Sequence, residues 1–214
     1  MTKVISDLTN LNLNIESDMH LVIYFKELIG DFEANIRIIA GKKVHLEHII
    51  LGGSLNCKIN FILEKDASLV LNTGFSLSGT DKLNYCYFAE HLGANSESRI
   101  RMVGSLDDSA EKTSELKIHF AKGATGAVGD EKEKISIFSN QTKNVASPTI
   151  FSDESEAEGH HGFSSCHISE DEQSYLCSRG VDSDKIKLIL AKNDLLRVAK
   201  LTKKADIIKE IYEY

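Results

Sequence analysis

The chain has 214 residues, 42% of them hydrophobic and 7% aromatic, with 25 basic against 32 acidic side chains and a formal net charge of -7 at pH 7. That length allows one domain with a substantial core plus a small appendage, and an acidic chain with scattered Lys and Arg argues against a nucleic-acid-binding surface, which needs clustered cations. The longest apolar runs, such as 21–25, fall far short of the roughly 20 residues of a membrane span, and no signal-peptide series opens the chain, so a cytoplasmic protein is expected.

From about residue 36 a repeat is visible. The stretches "IRIIAGKKVHLEH" (36–48), "INFILEKDASLVLN" (59–72), "YFAEHLGANSESRIRMV" (87–103) and "LKIHFAKGATGAVG" (116–129) share one grammar: an alternating strand, a turn holding a small residue, and usually a second strand. Ala40, Ala67, Ala94 and Ala124 anchor those turns at steps of 27, 27 and 30 residues. Ile36, Ile38 and Ala40, then Ile59, Phe61 and Leu63, then Leu116, Ile118 and Phe120 alternate with polar residues, so one face of each strand is buried. Strand-turn-strand units without helices between them stack as the coils of a parallel β-helix, in which each rung covers its neighbour's open edge. An antiparallel sandwich is the alternative, but Asn-Gly hairpin turns are absent. The chain's single proline, Pro148, leaves long ladders uninterrupted almost everywhere. "GATGAVG" (123–129) lies between strands and reads as a rung turn, and "DESEAE" (153–158) as a solvated edge. Cys57 and Cys86 lie on strand-like stretches and are expected in the core; no CxxC pair occurs among the four cysteines, which suits reduced thiols.

At 158–181, "EGHHGFSSCHISEDEQSYLCSRGV", the pattern changes. Gly162 would permit a tight turn, His160 reads as solvated and His161 as a turn residue. Cys166 and His167 are adjacent and cannot be assumed to share a metal, and no ligand spacing such as CxxC or HExxH is met. Ser169 with Glu172 makes a capping box and Gly180 a stop, predicting a helix over about 170–179 on which Cys177 packs. A second helix starts at Asp182 or Ser183 with Ile186, Ile189 and Leu190 on one face, and a third carries Ile207, Ile208, Ile211 and Tyr212. The division is an all-β core over 1–168 and a small C-terminal α-helical module over 169–214, whose amphipathic faces are too large for so short a module to bury internally. No GxSxG, P-loop or dinucleotide fingerprint is present, and no enzymatic activity is expected.

"NVASPTIFSDESEAEGHHGFSSCHISEDEQSYLCSRGV" (144–181) resembles the signature segment of the SufB/SufD family, the β-helical core proteins of the Suf iron–sulfur cluster assembly system. The matches are "ASP" around Pro148, the acidic segment, "HG" at His161 and Gly162, and "ISEDEQSYLCSRGV"; "KISIFSN" (134–140) resembles the family's last long core strand. The resemblance implies a right-handed parallel β-helix followed by helices that dock a SufC-like ABC ATPase, and pairing of two core proteins, as a homodimer or with a SufB-like protein. The family's larger N-terminal region is absent here, which suggests a trimmed member.

His161 matches the histidine the family places at the pairing interface, where it is a candidate metal ligand, and Gly162 after it is SufD-like. Reading back without gaps, the position of SufB's sulfur-accepting cysteine holds Glu133, and a carboxylate cannot carry persulfide sulfur. Cys166, nearest in sequence to His161, is the candidate substitute, against its reading as a small semi-buried turn residue. The expectation is a SufD-like scaffold or accessory subunit with no intrinsic cofactor and a transient iron–sulfur cluster. The alternatives are an ABC-ATPase partner module with no iron–sulfur role and a β-helical polysaccharide-acting enzyme.

Overall fold

In β5 (Ser68–Leu77), Leu69, Leu71, Phe75 and Leu77 occupy alternate positions and are buried, and the same parity buries Ile100 and Met102 of β7 (Glu97–Leu106) and Leu116, Ile118 and Phe120 of β8 (Glu111–Phe120). A strand with one apolar face must bury it against another packed element. Here the sheet closes on itself. The structure, a computed structural model describing residues 2–168 and 170–214, is a β-solenoid of about five turns. One face stacks β2 (Leu11–Ile15), the second halves of β3 (Met19–Ile38) and β4 (Lys43–Leu63), then β6 (Lys82–His91), β8 and β10 (Lys143–Ser152). The other stacks β1 (Thr2–Ile5), the first halves of β3 and β4, then β5, β7, β9 (Val128–Ile137) and β11 (Glu158–His167). All these pairings are parallel.

β3 and β4 run through both faces. The bend in β4 falls at Gly53, at φ 95, where a Cβ would lie 2.2 Å from the Leu28 carbonyl oxygen; only glycine fits. Later coils turn instead through short loops. The predicted turns are real, but their equivalence is shifted. The stacked small residues are Ala67, Ser96 and Ala127, tied by Glu97 N–H to Ala67 O (2.8 Å) and Val128 N–H to Ser96 O (2.9 Å). Ala40 is exposed and Ala94 half-buried. Register partners are Ser68 with Glu97, Glu97 with Val128 and Val128 with Glu158, so the step varies from coil to coil and no fixed period describes it.

Residues 158–167 form strand β11, which corrects the expected tight turn at 160–162; Gly162 has no left-handed φ. Two further strands follow β9, so 134–140 does not end the core. The helices are α1 (Glu170–Ser178), α2 (Ser183–Thr202) and α3 (Ala205–Glu213). α1 ends with Gly180 N–H on Cys177 O and Val181 N–H on Leu176 O, as a glycine stop predicts. Ser169 of the proposed capping box lies outside the described residues.

The buried stripe of α2 is Ile186, Ala191, Leu195, Val198 and Ala199; Ile189, placed there by the sequence, is 56% exposed. With Ile207 and Ile211 of α3, Leu195, Val198 and Ala199 of this stripe pack on Val22, Ile49 and Leu51, outward-facing residues of β3 and β4. Gly74 of β5 lets α2 approach, since a Cβ there would stand 3.1 Å from Val198. The helical faces are therefore covered by the solenoid, each large side chain contributing about 1.5–3 kcal/mol. Among the described residues no helix is long and apolar enough to cross a membrane.

Candidate functional site

Near the end of the solenoid, inward positions of β8 and β9 carry polar and charged side chains. On β8 the positions that continue Leu116, Ile118 and Phe120 toward the N-terminus are Ser114 and Lys112, and on β9 those preceding Ile135 and Ile137 are Glu133 and Glu131; all four are buried. Lys112 Nζ forms an ion pair with Glu133 Oε1 across the interior, and Ser114 Oγ donates to Glu133 Oε2 at 2.8 Å. Burial pushes the Lys112 ammonium down to about 7, and the carboxylate directly against it opposes loss of the proton. The Phe163 ring, in register with Glu133, lies with its centroid 5.7 Å from Lys112 Nζ.

Glu131 is 1% exposed and neither carboxylate oxygen has a hydrogen-bond partner among the described residues. Burial, with Asp130 beside it, raises its carboxyl to about 8. The uncharged acid avoids the larger cost of an unpaired buried charge. Glu131 pairs in register with His161, and the two line a small enclosed cavity together with Pro148.

β11 is exposed along its whole length. Among the described residues it pairs only with β9, and β10 only with β8. Both faces thus end in an unpaired strand edge. Pro148, which cannot donate to a ladder, sits on the edge strand β10. His161, Phe163, Ser165 and His167 share the inward parity of Glu131 and Glu133, whereas His160, Ser164 and Cys166 share the outward parity of Asp130, Lys134 and Ser136. His161 and Cys166 therefore stand on opposite faces of one strand and are not brought together. Cys166 is exposed rather than semi-buried, in a strand rather than a turn, with Sγ 3.9 Å from the Ile135 carbonyl. Of the other thiols, Cys57 is buried as expected, and burial raises it to about 12. Cys86 is half-buried and Cys177 exposed, both against expectation. Among the described residues no three His, Cys, Asp or Glu side chains stand where they could together hold a metal ion.

Lys112, Ser114 and Glu131 were missed by the sequence reading, which treated only apolar residues as inward. Extending the parity of Leu116 and Ile135 by two and four residues finds all of them.

Compared with known families, residues 31–193, from within β3 to within α2, match the family model described as SUF system FeS cluster assembly, SufBD core domain. No curated protein matches the chain.

Proposed function

The chain belongs to the SufB/SufD family of the SUF iron–sulfur cluster assembly system, and from that premise we propose that it is a SufD-like scaffold subunit without catalytic turnover, working in the cytoplasm with a SufC-like ABC ATPase. The observation that carries this reading is the state of position 133. Where a sulfur-accepting thiolate would stand, the carboxylate of Glu133 is held in a buried ion pair with Lys112 and hydrogen-bonded by Ser114. Those contacts fix a structural group, and sulfur transfer needs a nucleophilic thiolate.

His161 lies on the open last strand, where it can meet a group from a second family member. The unpaired edges of β10 and β11, with Val145, Phe151 and Phe163 exposed, suit pairing with another copy or with a SufB-like protein. An iron–sulfur cluster handled there would be transient cargo, with His161 as this chain's candidate ligand and any further ligands from the partner. The ATPase contact falls on the helical module, where Leu188, Ile189, Tyr212 and Tyr214 are exposed. Apolar anchors of this kind dominate helix-mediated contacts.

Truncating the module would expose Val22, Ile49 and Leu51, so point changes test the docking better. Ile189→Asp with Tyr212→Asp should abolish co-purification with the ATPase while far-UV circular dichroism stays unchanged. Full retention would refute the contact. His161→Ala should lower iron–sulfur maturation measured with the ATPase and a SufB-like partner. If maturation survives both His161→Ala and Cys166→Ser, the chain is an ATPase partner module with no iron–sulfur role.

A further inference from the structure

Four cations converge on one groove in a chain that carries a net charge of -7. The groove runs between α2 and the outer face of β7, β9 and β11, encloses about 510 Å³, and is lined by Arg101, Lys132, Lys134 and Arg197. Arg101 and Lys132 are direct register partners on neighbouring strands, and Lys134 follows on the same face. Like charges directly opposite one another destabilise a sheet, a cost that a nearby anion offsets.

Compensation within the chain is partial. Asp130 takes the Arg101 guanidinium and lies 3.8 Å from Lys132 Nζ. Arg101 also donates to the Ile100 and Asp130 carbonyls, both at 2.9 Å, so it is fixed in place. Arg197 reaches only to 3.9 Å from Asp194, whose other oxygen accepts from Ser136. Lys134 makes no ion pair among the described residues, and Glu133, also on the wall, turns its carboxylate inward to Lys112. Four cations thus face two carboxylates, and the heads of Lys132 and Arg197 are solvent-accessible, with side chains 62% and 60% exposed.

Apolar surface lies beside the cations on both walls: Val103 is in register with Lys134 on the sheet, and Val198 and Leu201 flank Arg197 on α2. Across from Lys132 in register stands Gly162, where a Cβ would meet only Lys132 Cγ at 3.7 Å, so the groove has room between the cations and β11. Such a volume suits a small molecule and is far too short for a nucleic-acid track. An excess of two positive charges, with Lys132 and Arg197 held by carboxylates only at 3.8 and 3.9 Å and Lys134 in no ion pair among the described residues, matches a dianionic head. We propose that this groove binds a small phosphate monoester, its phosphate held by Lys132, Lys134 and Arg197 and its apolar body lying on Val103, Val198 and Leu201. The site is independent of the cluster-assembly reading.

The test is titration of the intact chain with 4-methylumbelliferyl phosphate, followed by amide NMR shifts, with inorganic phosphate and 4-methylumbelliferone as separate arms. The ester should bind saturably and more tightly than either fragment, with shifts centred on β7, β9 and α2. Lys134→Gln with Arg197→Gln should weaken it by about tenfold or more, the loss of one charge-assisted contact or more. Gly162→Phe, which fills the groove without changing a charge, should also abolish binding. Absent binding, affinity no greater than that of inorganic phosphate, or an affinity unchanged in both variants with native circular dichroism would overturn the proposal.

Discussion

Glu133→Gln should be among the most costly single changes in this chain. Lys112 is 0% exposed and Glu133 4%, and the carboxylate is the ammonium's only ion-pair partner among the described residues. Removing one partner of a buried pair leaves the other charge uncompensated, at about 3–5 kcal/mol, a large part of the roughly 5–15 kcal/mol that holds a typical domain together. Lys112→Met should cost a similar amount, since Glu133 would keep only the Ser114 hydroxyl. The double change Lys112→Met with Glu133→Leu removes both charges and should return to within about 1 kcal/mol of the native chain, because apolar residues of similar volume avoid the desolvation penalty. Urea denaturation at pH 7 of the native chain, Lys112→Met, Glu133→Leu and the double variant closes the cycle, and singles of about 3–5 kcal/mol against a double within about 1 imply a coupling of about 5 kcal/mol or more. The buried ammonium also makes the native chain's stability depend on pH. Burial sets the folded Lys112 near 7, against 10.5 unfolded. Between those values the unfolded chain binds more protons, and stability rises by up to about 1.4 kcal/mol per pH unit. A Glu133→Gln cost below about 1 kcal/mol, or a double variant as unstable as either single one, would refute the assignment of a buried, charged, mutually dependent pair.

Two buried histidines give the fold an acid limit. Burial holds His48 down to about 3 and His91 to about 4, from 6.5, so their contribution is complete above pH 6.5 and is lost as pH falls toward 4, by up to about 1.4 kcal/mol per pH unit each. His91→Gln should flatten the Tm profile between pH 6.5 and 4.5; an unchanged slope counts against it. Gly74→Leu should lift α2 off the sheet, because even a Cβ would stand 3.1 Å from Val198. Hydrogen exchange should then accelerate across 183–202 while β5 to β9 stay protected, and uniform protection would show that the helix does not depend on this close approach. Iodoacetamide on the native protein should modify Cys166 and Cys177 and spare Cys57, which is buried with its thiol raised to about 12. Mass spectrometry showing Cys57 labelled at the same rate would contradict that burial.

Period-two alternation and the absence of helices between strands determined the solenoid, because each strand has to bury one face and the repeat supplies a neighbour for it. The glycine after Arg179 and the periodic stripe around Ile207 and Ile211 determined the helical ending for equally local reasons. The family was legible in 144–181. What Glu133 contacts was not legible: Lys112 lies 21 residues earlier, on the opposite face of the coil, and only closure of the sheet makes them neighbours. The separation of His161 from Cys166 waited on whether 158–167 is turn or strand, which pairing with β9 settles and local sequence does not. Likewise Ile189 and Leu195 are both apolar residues on one helix; which faces solvent depends on where the solenoid lies against it. The cationic groove has no sequence signature at all, since Arg101, Lys132, Lys134 and Arg197 are spread over 97 positions and meet only through coil register and the docking of α2. Local chemistry determines which faces must be buried, and only long-range closure decides what each buried or charged group finds opposite it.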